Sequence, residues 1–119
     1  MIPDSSHFII AHLVGDYLLQ NDWMAGGKKR SPAICAVHVL FYLLPFLFLG
    51  LHWWQIFLIG LQHWIQDRND FALKWMKMAG QQKFSQPPLA PWSIIVVDNT
   101  LHLLWVMWVV QNFSGGFLA

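Results

Sequence analysis

Ionisable side chains sit on four apolar stretches of this chain, at positions that a buried helix tolerates only when the groups act together. His12 and Asp16 are four residues apart. So are His63 and Asp67 and, in reverse order, Asp98 and His102; His38 stands alone on a fourth stretch. Residues four apart on an α-helix share one face, one turn above the other. Three helices would each present a His/Asp pair and a fourth a single His, which is the donor set of a metal centre inside a four-helix bundle. Six His and six Asp in 119 residues would give roughly 0.6 such pairs by chance, so three pairs form a pattern. The competing reading is that each pair is only a hydrogen-bonded tie between helices.

The stretches run over about 6–20, 32–51, 53–70 and 92–113, with Pro45 as a kink in the second. A spanning helix needs roughly 20 mostly apolar residues. The second and fourth stretches meet this best; the first is short, and polar residues interrupt the third. The chain is 11% charged, against about 25% for a soluble domain. The expected fold is all-α: one integral membrane domain over 1–119, built as a four-helix transmembrane bundle. A buried hairpin in a soluble protein is the alternative, opposed by segments 40–51 and 101–110, which are apolar nearly all round. The net charge of +1 argues against nucleic acid as a partner. With Cys35 the single cysteine, neither an internal disulfide nor a thiolate-rich metal site is possible. The N-terminal segment lacks the basic region expected of a cleavable signal.

All seven basic residues fall in two places. Lys28, Lys29 and Arg30 separate the first two stretches; Arg68, Lys74, Lys77 and Lys83 follow the third. Positive loops stay in the cytoplasm, so this distribution predicts a multi-pass protein of the bacterial inner (cytoplasmic) membrane with both termini on the non-cytoplasmic side. Trp53 and Trp54 suit the outer interface, and Trp23, Trp75 and Trp92 the inner one. In that topology His12, Asp16, His38, His63, Asp67, Asp98 and His102 all lie within about 12 Å of the inner interface. His7 and His52 fall at the opposite end and are excluded from the site.

Those seven donors exceed the three that a catalytic zinc takes from protein. Two divalent metal ions about 3.5–4 Å apart would use all seven, with one Asp bridging. Imidazole and carboxylate without thiolate suit zinc first and manganese second. No Glu is present, so Asp16, Asp67 and Asp98 are the candidate catalytic carboxylates, and Asp70 is a candidate proton shuttle. Lys28, Lys29 and Arg30 are candidates for holding a phosphate, or else simply set topology. Gly15 would allow close helix approach, Gly26-Gly27 reads as a flexible turn, and Cys35 as a packed thiol.

The run His12-Leu13-Val14-Gly15-Asp16-Tyr17-Leu18-Leu19-Gln20-Asn21-Asp22-Trp23-Met24-Ala25, followed by Lys28, resembles the opening of the domain of unknown function 3307 family, small bacterial and phage membrane proteins. The His38 helix, His63-Trp64-Ile65-Gln66-Asp67 and Asp98-Asn99-Thr100-Leu101-His102 resemble its later motifs. The likeness covers nearly the whole chain. It departs at Asn99, where Gln is expected, and at Arg68-Asn69, where Lys commonly follows at short distance. More distantly the chain is similar to inner-membrane-associated proteins assigned as metal-dependent hydrolases. The His-x-x-x-Asp element also looks like that of all-helical zinc-dependent phospholipases C. Membership of the family implies no particular reaction.

The expected activity is hydrolysis of a phosphoester on a lipid or isoprenoid, entering from the inner leaflet through the gap between the first two helices. The bilayer and a lipid-phosphate substrate are the expected partners, and a homo-oligomer is compatible with the sequence. A membrane interaction protein with a structural metal or a His/Asp polar core is the alternative. A metal or proton translocator ranks third, because no polar path continues through the outer half, and the dense His boxes of membrane desaturases are absent.

Overall fold

Capping side chains decide where the helices begin. In the computed structural model, which describes residues 4–112, the Asp4 carboxylate accepts from the Ser6 and His7 N–H groups and opens α1, Ser5–Leu13. Asn21 accepts from the Met24 N–H and opens α2, Asp22–Gly27. Ser31 does the same for α3, Pro32–Leu43, with Pro32 in the first turn, where its missing N–H costs nothing. Then come α4, Trp53–Arg68, α5, Phe71–Met78, and α6, Trp92–Asn112. The described residues contain no strand, so the all-α expectation holds.

Two interruptions shape the first two stretches. After α1 the chain widens into a π-helical turn, Val14–Leu18, closed by the Leu19 N–H on the Val14 carbonyl at 3.1 Å. After α3, Pro45 opens a 3₁₀ turn, Pro45–Phe48, so the expected kink is present. Gly50, at φ 72°, then reverses the chain into α4, where the side chains of His52 and Gln55 form a capping box.

Six α-helices are found among the described residues where four were expected. α2 and α5 fill segments read as loops. Gly26 and Gly27 are helical rather than a flexible turn, because the Asn21 cap starts α2 before them and the Lys28 N–H closes on Met24 O at 2.9 Å after them. A Cβ on Gly27 would lie 2.6 Å from Ile34 Cδ1, so this glycine seats α2 on α3. α5 starts at Asp70, whose left-handed φ of 50° turns the chain sharply away from α4. It buries Ala72 and Met76 and leaves Phe71, Leu73, Trp75 and Met78 outside.

Of the described residues, Trp92–Gln111 is the one helical segment long and apolar enough to cross a membrane; Pro32–Phe48 is apolar but shorter. The expected helix end at Phe113 and both chain termini lie outside the described residues.

α4 packs between α3 and α6, and α1 closes against α6. Along every one of these helices the interior divides in two. Phe8, Tyr42, Phe46, Ile59, Val106 and Val109 belong to an apolar cluster. The ionisable residues stand one to two turns from these, after them in α1 and α4 and before them in α3 and α6. The apolar half uses directional contacts as well, since Trp105 Nε1–H donates to the Leu58 carbonyl at 3.0 Å.

Candidate metal centre

Four elements deliver the donors. The π turn brings Asp16, α3 brings His38, α4 brings His63 and Asp67, and α6 brings Asp98 and His102. All but Asp98 are buried. Asp16, His38, His63 and Asp67 each offer an atom within 4.8 Å of the others. The two imidazoles face each other Nε2 to Nε2 at 3.0 Å. His38 Nε2 is 3.3 Å from Asp16 Oδ1 and 3.1 Å from Asp67 Oδ2. His63 Nε2 is 3.6 Å and 3.2 Å from the same two oxygens. A tetrahedral ion with bonds of about 2.0–2.2 Å sets its donors about 3.3–3.6 Å apart. Two of these five separations, 3.3 and 3.6 Å, equal such edges and the other three are 0.1–0.3 Å shorter. A small outward shift would therefore seat an ion, and the donor chemistry of two imidazoles and two carboxylates fits zinc.

The second oxygen of Asp67 faces another group. Asp67 Oδ1 lies 3.2 Å from His102 Nε2, which lies 3.5 Å from Asp98 Oδ2. Asp16, Asp98 and His102 also offer atoms within 4.8 Å of one another. Asp67 thus turns one oxygen to each donor group, and Asp16 contributes to both, which is the disposition of bridging carboxylates. The rings are locked by stacking: Tyr42 on His63 at 3.8 Å between centroids, and His63 on His102 at 4.0 Å.

The structure brings six of the seven expected donors into these groups and sets His12 beside them. His12 Nε2 is 3.9 Å from Asp16 Oδ2, whereas its ring atoms bond Asn99 Oδ1 and the Tyr42 hydroxyl, each at 2.8 Å. The Asn99 amide nitrogen donates to the Ile95 carbonyl at 3.0 Å, which leaves its oxygen to accept from His12 Nε2–H. Nδ1 then accepts from Tyr42. Both ring nitrogens of His12 are thus occupied by Asn99 and Tyr42, while Asp16 sits inside the π turn that follows α1.

A cavity of about 320 Å³ opens over the donors, walled by Asp16, Asp67, Asp98, Tyr17, Lys28 and Lys29, among others. Gln20 and Asp70, with Ala72 and Leu73 of α5 and Ile94 and Ile95 of α6, complete the wall. Lys28 Nζ reaches Asp67 Oδ2 at 3.2 Å and donates to Gln20 Oε1 at 3.0 Å. The ammonium is close to Asp67 Oδ2 but not aligned with it as a hydrogen-bond donor. Burial alone would lower the Lys28 pKa, but the carboxylates of Asp67 and Asp16 outweigh it and raise it. Lys29 pairs with Asp70 at 2.6 Å. Arg30 donates to the Gly26 carbonyl and lies outside the cavity wall. Asp70 lines the cavity, half exposed. Cys35 is buried with its thiol on the Trp64 carbonyl.

Three contributors were missed in the sequence. Tyr42 sits on an all-apolar stretch, while Gln62 and Gln66 look like the polar face of α4. Gln66 Nε2 donates to Asp98 Oδ1 at 2.8 Å, and Gln62 Oε1 lies 3.2 Å from His102 Nδ1. Their shared spacing of four with each other, and their proximity to His63 and Asp67, was the signal available.

No curated protein and no solved structure matches the chain. Residues 6–117 match the family model described as Protein of unknown function (DUF3307), and the chain belongs to that family.

Proposed function

We propose that this chain is a membrane-embedded, metal-dependent hydrolase that cleaves a phosphoester of a lipid or isoprenoid at the inner leaflet. The observation that carries this reading is the set of five donor separations of 3.0–3.6 Å among Asp16, His38, His63 and Asp67. One divalent ion would be held by those four residues. A second would be held by Asp98, His102 and the remaining oxygens of Asp16 and Asp67. Zinc is the first choice and manganese the second. Bound ions of this kind acidify water and stabilise the charge that develops on phosphoryl oxygens.

The chain's own residues supply the setting. Burial of the donors confines solvent to the cavity, where Lys28 and Lys29 offer positive charge to an anionic head group. Hydrolysis adds the hydroxyl of water to phosphorus and returns a proton to the departing alkoxide. Asp70, half exposed on the cavity wall and outside both donor groups, would carry that proton. Arg30 is left as a topology-setting charge.

A bilayer around the four apolar stretches, with both termini outside, accounts for the side chains left in the open. Leu18, Phe48, Trp53, Met78 and Trp92 are each more than 70% exposed, which water would oppose and lipid would favour. The two basic segments meet, with Arg68 Nη1 donating to the Lys29 carbonyl at 2.7 Å, which supports their sharing one side.

A second reading is favoured by one specific contact. Lys28 already places a cation 3.2 Å from Asp67 Oδ2, as a polar core in a membrane interaction protein would require. Asp67→Ala separates the two. Zinc- or manganese-loaded protein in detergent is assayed for hydrolysis of phospholipid and isoprenoid phosphates. The hydrolase loses turnover while staying folded; the polar core loses expression or assembly, and the wild type shows no turnover.

A further inference from the structure

Gln62 and Gln66 stand four apart on α4, with Gln66 buried and Gln62 half-buried, and both border a broad apolar groove between α4 and α6. A paired amide beside such a groove calls for a reason. Gln66 Nε2 meets the Asp98 backbone carbonyl at 3.0 Å and Asp98 Oδ1 at 2.8 Å. A backbone carbonyl and an ionised carboxylate only accept, so the nitrogen end of the Gln66 amide must face α6. Its oxygen then faces Gln62 and accepts from Gln62 Nε2. That in turn leaves Gln62 Oε1 toward His102 Nδ1 at 3.2 Å. An amide oxygen only accepts, so His102 must carry a proton on Nδ1. The direction of every bond follows from the fixed acceptors on Asp98.

The consequence falls on Nε2. Nε2 lies 3.2 Å from Asp67 Oδ1 and 3.5 Å from Asp98 Oδ2. In the metal-free protein an Nε2–H donates to these carboxylates. With that proton displaced and Nδ1–H kept by Gln62, the Nε2 lone pair and the two oxygens would converge on a cation. We infer that Gln62 and Gln66 are positioning residues whose one-way amide relay fixes the His102 tautomer and the Asp98 carboxylate, and so builds the second of the two ion positions. For the second ion this rests on the metal reading proposed above; for the tautomer it does not. The first ion position is independent of the relay. The Nδ1 atoms of His38 and His63 have no hydrogen-bond partner among the described residues, so no comparable device holds those rings.

Two measurements test the relay. The first is imidazole ¹⁵N NMR of the metal-free protein in detergent, with the His102 signals identified by their loss in His102→Gln. Protonated Nδ1 is expected, and a bare Nδ1 overturns the inference. The second is cobalt(II) titration of wild type, Gln62→Leu and Gln62→Glu. Leu fills the space with neither donor nor acceptor; Glu keeps the acceptor toward Nδ1 but loses the N–H that Gln66 Oε1 accepts. The relay predicts that the second cobalt step weakens by about 10- to 100-fold in Gln62→Leu and by less in Gln62→Glu, with the first step unchanged in both. A packing role predicts the reverse order, and an unchanged second step in Gln62→Leu overturns the inference. Should the wild type bind no cobalt while Nδ1 is protonated, the metal reading fails and the relay stands.

Discussion

Gly15 seats the π turn directly on the backbone of Tyr42. A Cβ built there lies 2.4 Å from Tyr42 O, 2.9 Å from its Cα and 3.0 Å from its C. Backbone atoms cannot rotate aside, so Gly15→Ala must part the two segments by roughly 0.6 Å to restore a 3.0 Å contact. Overpacking of this kind costs about 1–3 kcal/mol, and removing glycine's backbone freedom returns about 0.5–1 kcal/mol. Because the clash is with main chain, the upper part of the range applies, leaving a net loss of about 1–2 kcal/mol. Gly26→Ala is the control. Nothing lies within 4 Å of its added Cβ, and the site is helical, so a gain of about 0.4–1 kcal/mol is expected. Thermal unfolding in detergent, followed by circular dichroism, should place Gly15→Ala about 3–12 °C below wild type and Gly26→Ala at or above it. The shift also carries Asp16, the next residue, beyond the roughly 0.2 Å tolerance of a metal ligand, so zinc affinity should fall in Gly15→Ala alone. If the two variants melt together, or Gly15→Ala matches wild type, the close approach described here is wrong.

Removing a donor should remove an ion. His63→Ala is expected to lose the ion held with Asp16, His38 and Asp67, and Asp98→Ala the other, each measured as metal per chain by mass spectrometry. Neutralising Lys28, which walls the cavity, should raise KM for an anionic substrate with kcat nearly kept, whereas Arg30→Ala, outside the wall, should change neither; this is read from steady-state kinetics at fixed salt. Reporters fused to either terminus should prove non-cytoplasmic, and a cytoplasmic signal from one would require the four-span topology to be rebuilt.

The donors were legible because the sequence states an angular relation. A spacing of four puts His63 with Asp67, and Asp98 with His102, on single faces of regular helices, and the structure keeps both relations. His12 and Asp16 are also within 3.9 Å of each other, but their spacing carries no sign that the chain is π-helical over Val14–Leu18 or that His12 bonds Asn99 and Tyr42. Nothing in the composition of that turn distinguishes it from α-helix; contact with Tyr42 decides it. α2 was missed because its paired glycines read as a breaker, yet the Asn21 cap and the fit against Ile34 outweigh their low propensity. α5 was missed because it is short and depends on packing against α6. Gln62 and Gln66 were invisible for another reason: an amide reveals its role only when its acceptors are known, and those lie on a helix more than 30 residues away.

The central claim is that these carboxylates and imidazoles hold divalent ions, and metal content tests it most directly. Protein purified in detergent without chelators, then washed free of loose metal, is analysed by inductively coupled plasma mass spectrometry against its peptide concentration. Two zinc or manganese ions per chain are predicted, falling in Asp67→Ala, whose carboxylate serves both positions. A folded wild type that retains none, even after incubation with zinc, would contradict the account and leave Lys28 as the cation of a polar core.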